Sequence, residues 1–458
     1  MSKAYIVTDL GPGDGGKGGV IHRIATLMRA RTIVKVGGAQ GSHGVRTSTG
    51  KAFAFSQWGC GTLEGISTHI SPRFIVNPEG MLNEARALRE AGVFHPFVLL
   101  TVDERALLAT QYHGIASRLK ELARGDNPRG TIGTGVGEAH RYSQRFPDLS
   151  LFARDLSRSD LRDRMAAVRS EVQRDLASII DSPFLPDDRE AAAREIKLLY
   201  DDGFLDYKVG VFQELARLAR IVDAEYAQRE ILAKDGNVVV ESSHGVLTDA
   251  FTGFHPHTSA IRTLPRFAEQ MLREGGFGGE IVHIGVHRAY TIRHGAGPMP
   301  TADPAMSERL LPGSNKDENR WQGKVRVGPL DLPLLRYALA ASEGVYHGLA
   351  ITWFDQMVQN GEWKICNRYK SGAEDPTFFT PQGELKVRQG EDEEQLRHLE
   401  ALGAQVAQCV PEVETIHVPR DKNRDQLFGL VAAQLNERLG LPVRLVSLGP
   451  TEVDKVLK

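Results

Sequence analysis

Ala4-Tyr5-Ile6-Val7-Thr8-Asp9-Leu10-Gly11-Pro12-Gly13-Asp14-Gly15-Gly16-Lys17-Gly18-Gly19-Val20 passes from a short apolar, β-prone stretch, through six glycines in nine positions, into a segment whose apolar residues recur at helical spacing. This predicts strand, glycine loop and helix, the repeating unit of parallel α/β sheets. Amides without side chains at such a turn can surround a phosphate, and the helix N-terminus adds partial positive charge. Two generic patterns overlap here. Gly11-x-Gly13-x-x-Gly16 has dinucleotide spacing, but that fingerprint needs a carboxylate at the end of the second strand, where Lys35-Val36-Gly37-Gly38 offers none. Gly11-x-x-x-x-Gly16-Lys17 has P-loop spacing, with Lys17 placed to reach terminal phosphates, yet Gly18 stands where Ser or Thr would bind magnesium. Asp14 is then the nearest oxygen available to a metal.

Outward from this loop, residues 32–36, 74–76, 97–101, 237–240, 280–286, 348–354 and 443–447 read as strands. Residues 20–30, 81–91, 107–124, 332–341, 394–406 and 424–439 read as helices. The alternation predicts an α/β fold, P-loop-like, with a mostly parallel central sheet flanked by helices. Within one domain of 458 residues, 157–233 reads as a helical insertion and the Gly-, Pro- and acid-rich 371–394 as a C-terminal surface excursion. With 56 Lys+Arg against 58 Asp+Glu, no basic surplus points to a nucleic acid or an acidic membrane. Cys60, Cys366 and Cys409 are few, odd in number and far apart, which fits a reduced compartment. Without a signal-like start or a membrane-length apolar run, the expected location is cytoplasmic.

A second glycine loop, Gly37-Gly38-Ala39-Gln40-Gly41-Ser42-His43-Gly44, follows the next strand and is expected at the same sheet edge, with His43 its one strong acid–base group. A third, Gly130-Thr131-Ile132-Gly133-Thr134-Gly135-Val136-Gly137, offers amides and hydroxyls of the kind that hold a substrate phosphate.

In order along the chain, these loops resemble the adenylosuccinate synthetase family. Its W-G-D-E-G-K-G-K is similar to residues 12–19, its G-G-x-N-A-G-H-T to residues 37–44, and its G-R-G-I-G-P-A to residues 133–139. Its E-G-A-Q-G-T-L-L-D is similar to Glu241-Ser242-Ser243-His244-Gly245-Val246-Leu247-Thr248-Asp249. Its T-R-V-G-A-G-P-F-P-T resembles Ile292-Arg293-His294-Gly295-Ala296-Gly297-Pro298-Met299-Pro300-Thr301, and the pattern continues through residues 323–331, 352–355 and 448–450.

The resemblance implies GTP-dependent ligation of L-aspartate onto the 6-oxo carbon of a purine nucleoside monophosphate, IMP in the family, through a 6-phosphoryl intermediate. It implies Asp14 as the base at purine N1 and as a Mg²⁺ ligand with Ser42, and His43 as the donor or acid at the transferring phosphoryl. Gly13, Gly15, Gly16, Lys17 and Gly18 would hold the GTP phosphates, and Asp355 with Gly449 the guanine. Gln40, Thr131, Thr134, His244 and Ser259 would face the acceptor nucleotide, and Lys324 and Arg326 the aspartate carboxylates. A homodimer is implied, with Arg141 or Arg145 reaching the partner's substrate phosphate. The departures gather on the substrate side: the family's Asn becomes Gln40, its Gln becomes His244, its Thr becomes Ser259 or is displaced to Thr131, and one clamp Arg becomes Lys324. On the donor side its Lys becomes Trp353. A phage branch that succinylates deoxyguanylate lacks the loop aspartate that Asp14 supplies here. Three readings follow: ligation to IMP, the same chemistry on a different or modified purine nucleotide, and a non-catalytic nucleotide-binding protein. Asp14, His43 and Lys17 together speak against the last.

Overall fold

Strands buried on both faces are near-continuous apolar runs, and here they assemble one large sheet. The computed structural model describes residues 2–313 and 321–458. Its main strands are β1 (Lys3–Asp9), β2 (Thr32–Gly38), β3 (Ser67–Val76), β4 (Leu100–Asp103), β5 (Arg220–Val222), β6 (Val238–Gly245), β7 (Glu280–Arg288), β8 (Gly348–Thr352), β9 (Val443–Ser447) and β10 (Lys455–Leu457). In space they run β10-β9-β8-β7-β1-β6-β2-β3-β4-β5, with Leu107–Leu108 pairing to β3 beside this path. The pairs are parallel except for the antiparallel β9 and β10. The mostly parallel α/β sheet expected from the alternation is thus present.

The two-residue pleat divides the core. Tyr5, Val7, Ile33 and Val239 face a cluster shared with Val20, Ile21 and Ile24 of α1 (Lys17–Leu27). Ala4, Ile6, Val34, Val238 and Val240 face the opposite cluster, which contains Ala268 and Leu272. Each fully buried aliphatic side chain contributes roughly 1.5–3 kcal/mol, so the registry of β1 between β6 and β7 is strongly specified. That registry brings Asp9 level with Val286 and Gly245, and the carboxyl ends of the central strands open together at one edge.

Several elements differ from their sequence reading. Residues 97–101 are not one strand: Pro96–Leu99 form a 3-10 turn, because Pro96 has no N–H for a ladder, and β4 starts at Leu100. Residues 107–124 divide into Leu107–Leu108, paired to Ile75–Val76, and a helix from Gln111 to Leu122. Thr110 caps that helix by accepting the His113 N–H, a start signal that apolar periodicity alone does not contain. Within 157–233, the helices Leu161–Ile180, Arg189–Tyr200 and Asp202–Leu218 form, but Arg220–Val222 joins the main sheet beside β4. Residues 371–394 are largely irregular, yet Phe378, Phe379 and Leu385 are buried in the cluster of Leu399 and Leu402. The stretch reads as a surface excursion because its Gly, Pro and acidic residues outnumber these apolar anchors. Among the described residues no helix is long and apolar enough to cross a membrane.

Candidate active site

The loop after β1 is folded around a carboxylate. Asp9, fully buried, accepts the N–H groups of Gly11 at 2.9 Å and Gly15 at 2.7 Å, and the Lys17 ammonium at 3.0 Å. Lys17 also donates to the His244 carbonyl at 2.7 Å, which leaves one of its three hydrogens for a ligand. Gly16 is the N-cap of α1 in the left-handed region, so the helix N-terminus points into the cavity behind the loop. At Gly18 a Cβ would lie 2.5 Å from the Gly44 carbonyl oxygen, which explains why no Ser or Thr stands there. The start of α1 rests directly on the His43 loop.

That loop enters the hairpin of His43–Arg46 with Ala52–Phe55. His43 Nδ1 lies 2.7 Å from Glu241 Oε1 on β6, and Lys35 from β2 donates to the same oxygen at 2.6 Å. Cys60 N–H donates to the other oxygen at 3.0 Å. Burial pushes the His43 imidazolium down, the Glu241 carboxylate opposes this, and Lys17 and Lys35 add to the lowering. Glu241 opposes its own burial with Lys35 and His43 beside it and is held well below the usual carboxylate range. His43 is therefore a fixed imidazole with Nδ1 engaged, and anionic phosphate near Nε2 would favour its protonation.

A single cavity of about 1790 Å³ joins these loops. Its wall includes Gly13, Asp14, Gly16, Lys17, Gly18, Gln40, Ser42, His43, Thr131, Thr134, Arg141, Arg145, His244, Ser259, Asp355 and Gly449. Five non-glycine residues have positive φ among the described residues, and three of them, Asp14, His244 and Trp353, line this cavity. Such backbone costs of order 1–3 kcal/mol per residue and gathers at functional sites. Asp14 Oδ2 lies 2.9 Å from His294 Nε2, and its backbone oxygen accepts from Arg288 at 2.6 Å. The Asp14 carboxylate and the Ser42 hydroxyl, both in the cavity wall, are hard oxygen donors of the kind that suits Mg²⁺.

The part of the wall formed by Gln40, Thr131, His244 and Ser259 is differently built. Gln40 Oε1 and His244 Nε2 are buried with no hydrogen-bond partner among the described residues. Burial, then Lys17 and His43, push His244 down to about 4, so it is neutral at pH 7. Thr131 bonds the Ser117 hydroxyl at 2.8 Å and accepts the Gly133 N–H at 3.2 Å, while the Ser259 hydroxyl accepts from Ile261. Arg145 pairs with Asp175 at 3.3 Å and is mostly exposed, as is Arg141 beside Glu138.

Three expected positions fall outside the cavity wall. Gly15 is turned onto Asp9, where a Cβ would lie 2.7 Å from Oδ2. Lys324 is exposed, and Arg326 spends its guanidinium on the carbonyls of Gly295 and Gly297 at 2.7 and 2.8 Å. Its cross-strand neighbour Arg293 lines the cavity instead, donating to the carbonyls of Ala296 and His257. Burial and then Arg326 push the Arg293 guanidinium down, the signature of cationic charge that a bound anion would relieve. At the other end Trp353 lies under the Arg288 guanidinium, 4.3 Å from ring centroid to carbon. Burial raises Asp355, and Lys455 counters it.

The description "Adenylosuccinate synthetase" belongs to a family model that matches residues 6–455. The chain belongs to the adenylosuccinate synthetase family. It is 29% identical over 387 residues to the adenylosuccinate synthetase of Halobacterium salinarum, covering 79% of this chain and 80% of that one. It is 26% identical over 462 residues to that of Thioalkalivibrio sulfidiphilus, covering 98% and 97%. In fold it is similar to the fully ligated adenylosuccinate synthetase from Plasmodium falciparum, with TM-score 0.75, 17% identity and 99% of each chain covered. It is also similar to cyanophage S-2L succinoaminodeoxyadenylate synthetase bound to dGMP and dATP, with TM-score 0.55, 14% identity and 100% and 95% covered. Adenylosuccinate synthetases are GTP-dependent carbon–nitrogen ligases of purine nucleotide biosynthesis, and this chain is one of that class.

Sequence reading passed over Asp9, Glu241, Arg293, His294 and Lys455. Glu241, Arg293 and His294 lay inside family motifs and had a signal, in His294's case its departure from valine. Lys455, buried in the cavity wall with its ammonium on the Thr451 carbonyl at 2.8 Å, had none.

Proposed function

We propose that this adenylosuccinate synthetase-family ligase transfers the γ-phosphoryl of GTP to the 6-oxo group of a purine nucleoside monophosphate, after which the amine of L-aspartate displaces phosphate at that carbon. The observation that carries this reading is one continuous cavity of about 1790 Å³ with Asp14 and His43 along its wall. Typical small-ligand pockets span about 300–1,000 Å³, so this one has room for two nucleotides and an amino acid.

An oxo group leaves poorly, and phosphorylation makes it a leaving group. Asp14 takes the N1 proton, which turns O6 into the nucleophile. His43, steadied by Glu241, donates to the phosphoryl oxygens as charge develops. Lys17, its remaining hydrogen free to donate, and the amides at Gly13, Gly16 and Gly18 hold the donor phosphates. Mg²⁺ held by Asp14 and Ser42 neutralises phosphate charge when bound. Asp355 accepts two guanine N–H groups, with Gly449 beside it and Trp353 covering the base. Arg293 in the cavity wall holds an aspartate carboxylate together with Lys324 and Arg326. Gln40, Thr131, Thr134, His244 and Ser259 face the acceptor. The working unit is a cytoplasmic homodimer in which Arg141 or Arg145 reaches the partner's acceptor phosphate.

A second reading keeps this chemistry with an acceptor other than IMP. It is favoured by the neutral His244, whose buried Nε2 stands where the family has a glutamine amide. The fold relative from cyanophage S-2L, which holds dGMP, makes deoxynucleotides part of the test. The enzyme is incubated with GTP, Mg²⁺, L-aspartate and IMP, dIMP, GMP or dGMP in turn, and GDP and the succinyl adduct are measured. Adduct from IMP supports the first reading, and adduct from another nucleotide alone supports the second. GDP release that ignores every nucleotide refutes both.

A further inference from the structure

His294 ends the strand Thr291–His294, and at this place the family motif T-R-V-G-A-G-P has valine. Valine has no polar atom, whereas His294 places Nε2 2.9 Å from Asp14 Oδ2. Both side chains line the cavity and are largely withdrawn from solvent, at 14% and 23% exposure. The terminal torsion of an aspartate is broad and weakly preferred, so a carboxylate that must meet one proton in one direction gains from a fixed donor. Arg288 fixes the Asp14 backbone through its carbonyl, and His294 fixes the carboxylate. His294 Nδ1 is buried with no hydrogen-bond partner among the described residues. A ring with its proton on Nε2 leaves a lone pair there instead of an orphaned N–H, and this tautomer suits donation to Asp14.

We propose that His294 is a positioning residue for Asp14: its Nε2–H donates to the carboxylate and holds it in the orientation that meets the N1–H of the acceptor. The inference rests on reading Asp14 as the base. It gives this chain an interaction that the family's valine cannot make, at a loop residue that the family motif shares.

The test uses the full-length enzyme labelled with ¹⁵N-histidine, together with H294V, H294N and D14N. In the wild type, His294 carries its proton on Nε2 with a downfield-shifted hydrogen. The signal disappears in H294V and moves in D14N. Kinetics use the nucleotide of IMP, dIMP, GMP and dGMP that turns over fastest. H294V lowers kcat about 10- to 100-fold while KM for GTP and aspartate stays within roughly twofold. It equally slows aspartate-independent scrambling of ¹⁸O in the γ-phosphoryl bridge of GTP, and H294N, which keeps an N–H donor, recovers part of the loss. A wild-type His294 protonated at Nδ1 alone, or an H294V enzyme with unchanged kcat beside an inactive D14N, overturns the role of His294 and leaves the base in place. A D14N enzyme with undiminished turnover removes the base reading and this inference together. Should none of the four nucleotides turn over, the nitrogen signature alone decides.

Discussion

The phosphate loops and the acceptor wall meet in one cavity but are held by opposite means. Around the phosphate loops nearly every polar group is committed: Asp9 takes two amides and Lys17, and Glu241 takes His43, Lys35 and Cys60. On the acceptor wall Gln40 Oε1 and His244 Nε2 are buried without partners. A committed network is preorganised for charge that develops in one place, while unpartnered polar atoms are waiting for a ligand to complete them. The first region keeps the family's Asp14, Lys17 and His43 despite departures at Pro12, Gly15 and Gly19, whereas the second departs at Gln40 and His244 themselves. Under the proposed function, this difference assigns reaction chemistry to the first region and substrate choice to the second.

The largest effect expected on this contrast is that of D14N, which keeps a side chain tolerant of the left-handed backbone and should lower kcat by about 10²- to 10⁴-fold with an unchanged circular-dichroism spectrum and melting temperature. Near-normal turnover would show that the phosphate side does not contain the base. Next comes K17M. Lys17 is the buried cation against a fully buried Asp9, so its loss should destabilise the fold by about 3–5 kcal/mol in urea unfolding as well as abolish activity. A stable but inactive K17M would make Lys17 a ligand contact alone. On the other side, H244Q restores the family residue and should shift the kcat/KM ratio between acceptors by about tenfold, with stability little changed.

The smallest effect concerns pH. His113, buried in the cap of its helix, is pushed down to about 4 by burial, against an ordinary value near 6.5. The unfolded chain therefore binds the proton more readily between these values, so the contribution of this group to stability is full above about 6.5 and is lost as pH falls toward 4. The fall in melting temperature between pH 7 and 4.5 should be shallower in H113N than in the wild type. An identical slope would remove His113 from the acid sensitivity.

The strand–loop–helix opening, the parallel sheet, and the convergence of the loops at Asp14, His43 and Thr131 were legible because each is written in local spacing. What the loops bind to inside the protein was not. His294 meets Asp14 across 280 positions and Glu241 meets His43 across 198, contacts that exist because β7, β1, β6 and β2 lie side by side. That Lys324 and Arg326 stand outside the cavity wall was hidden for a related reason. Along a strand successive side chains alternate, and a motif gives their order but not which turn carbonyls will take the charge. Thr110 shows the same limit at helix scale, since a cap is one residue against a periodic background.

The close approach of Gly18 to Gly44 also bears on what this loop could become. A serine at position 18 would complete the Gly-x-x-x-x-Gly-Lys-Ser pattern of a conventional P-loop. Its Cβ would have to displace the backbone of the His43 hairpin, and with it the acid–base pair on which phosphoryl transfer to an acceptor depends. Position 18 is thus closed to a hydroxyl ligand by sterics, and a metal bound here has to take its oxygens from elsewhere around the loop.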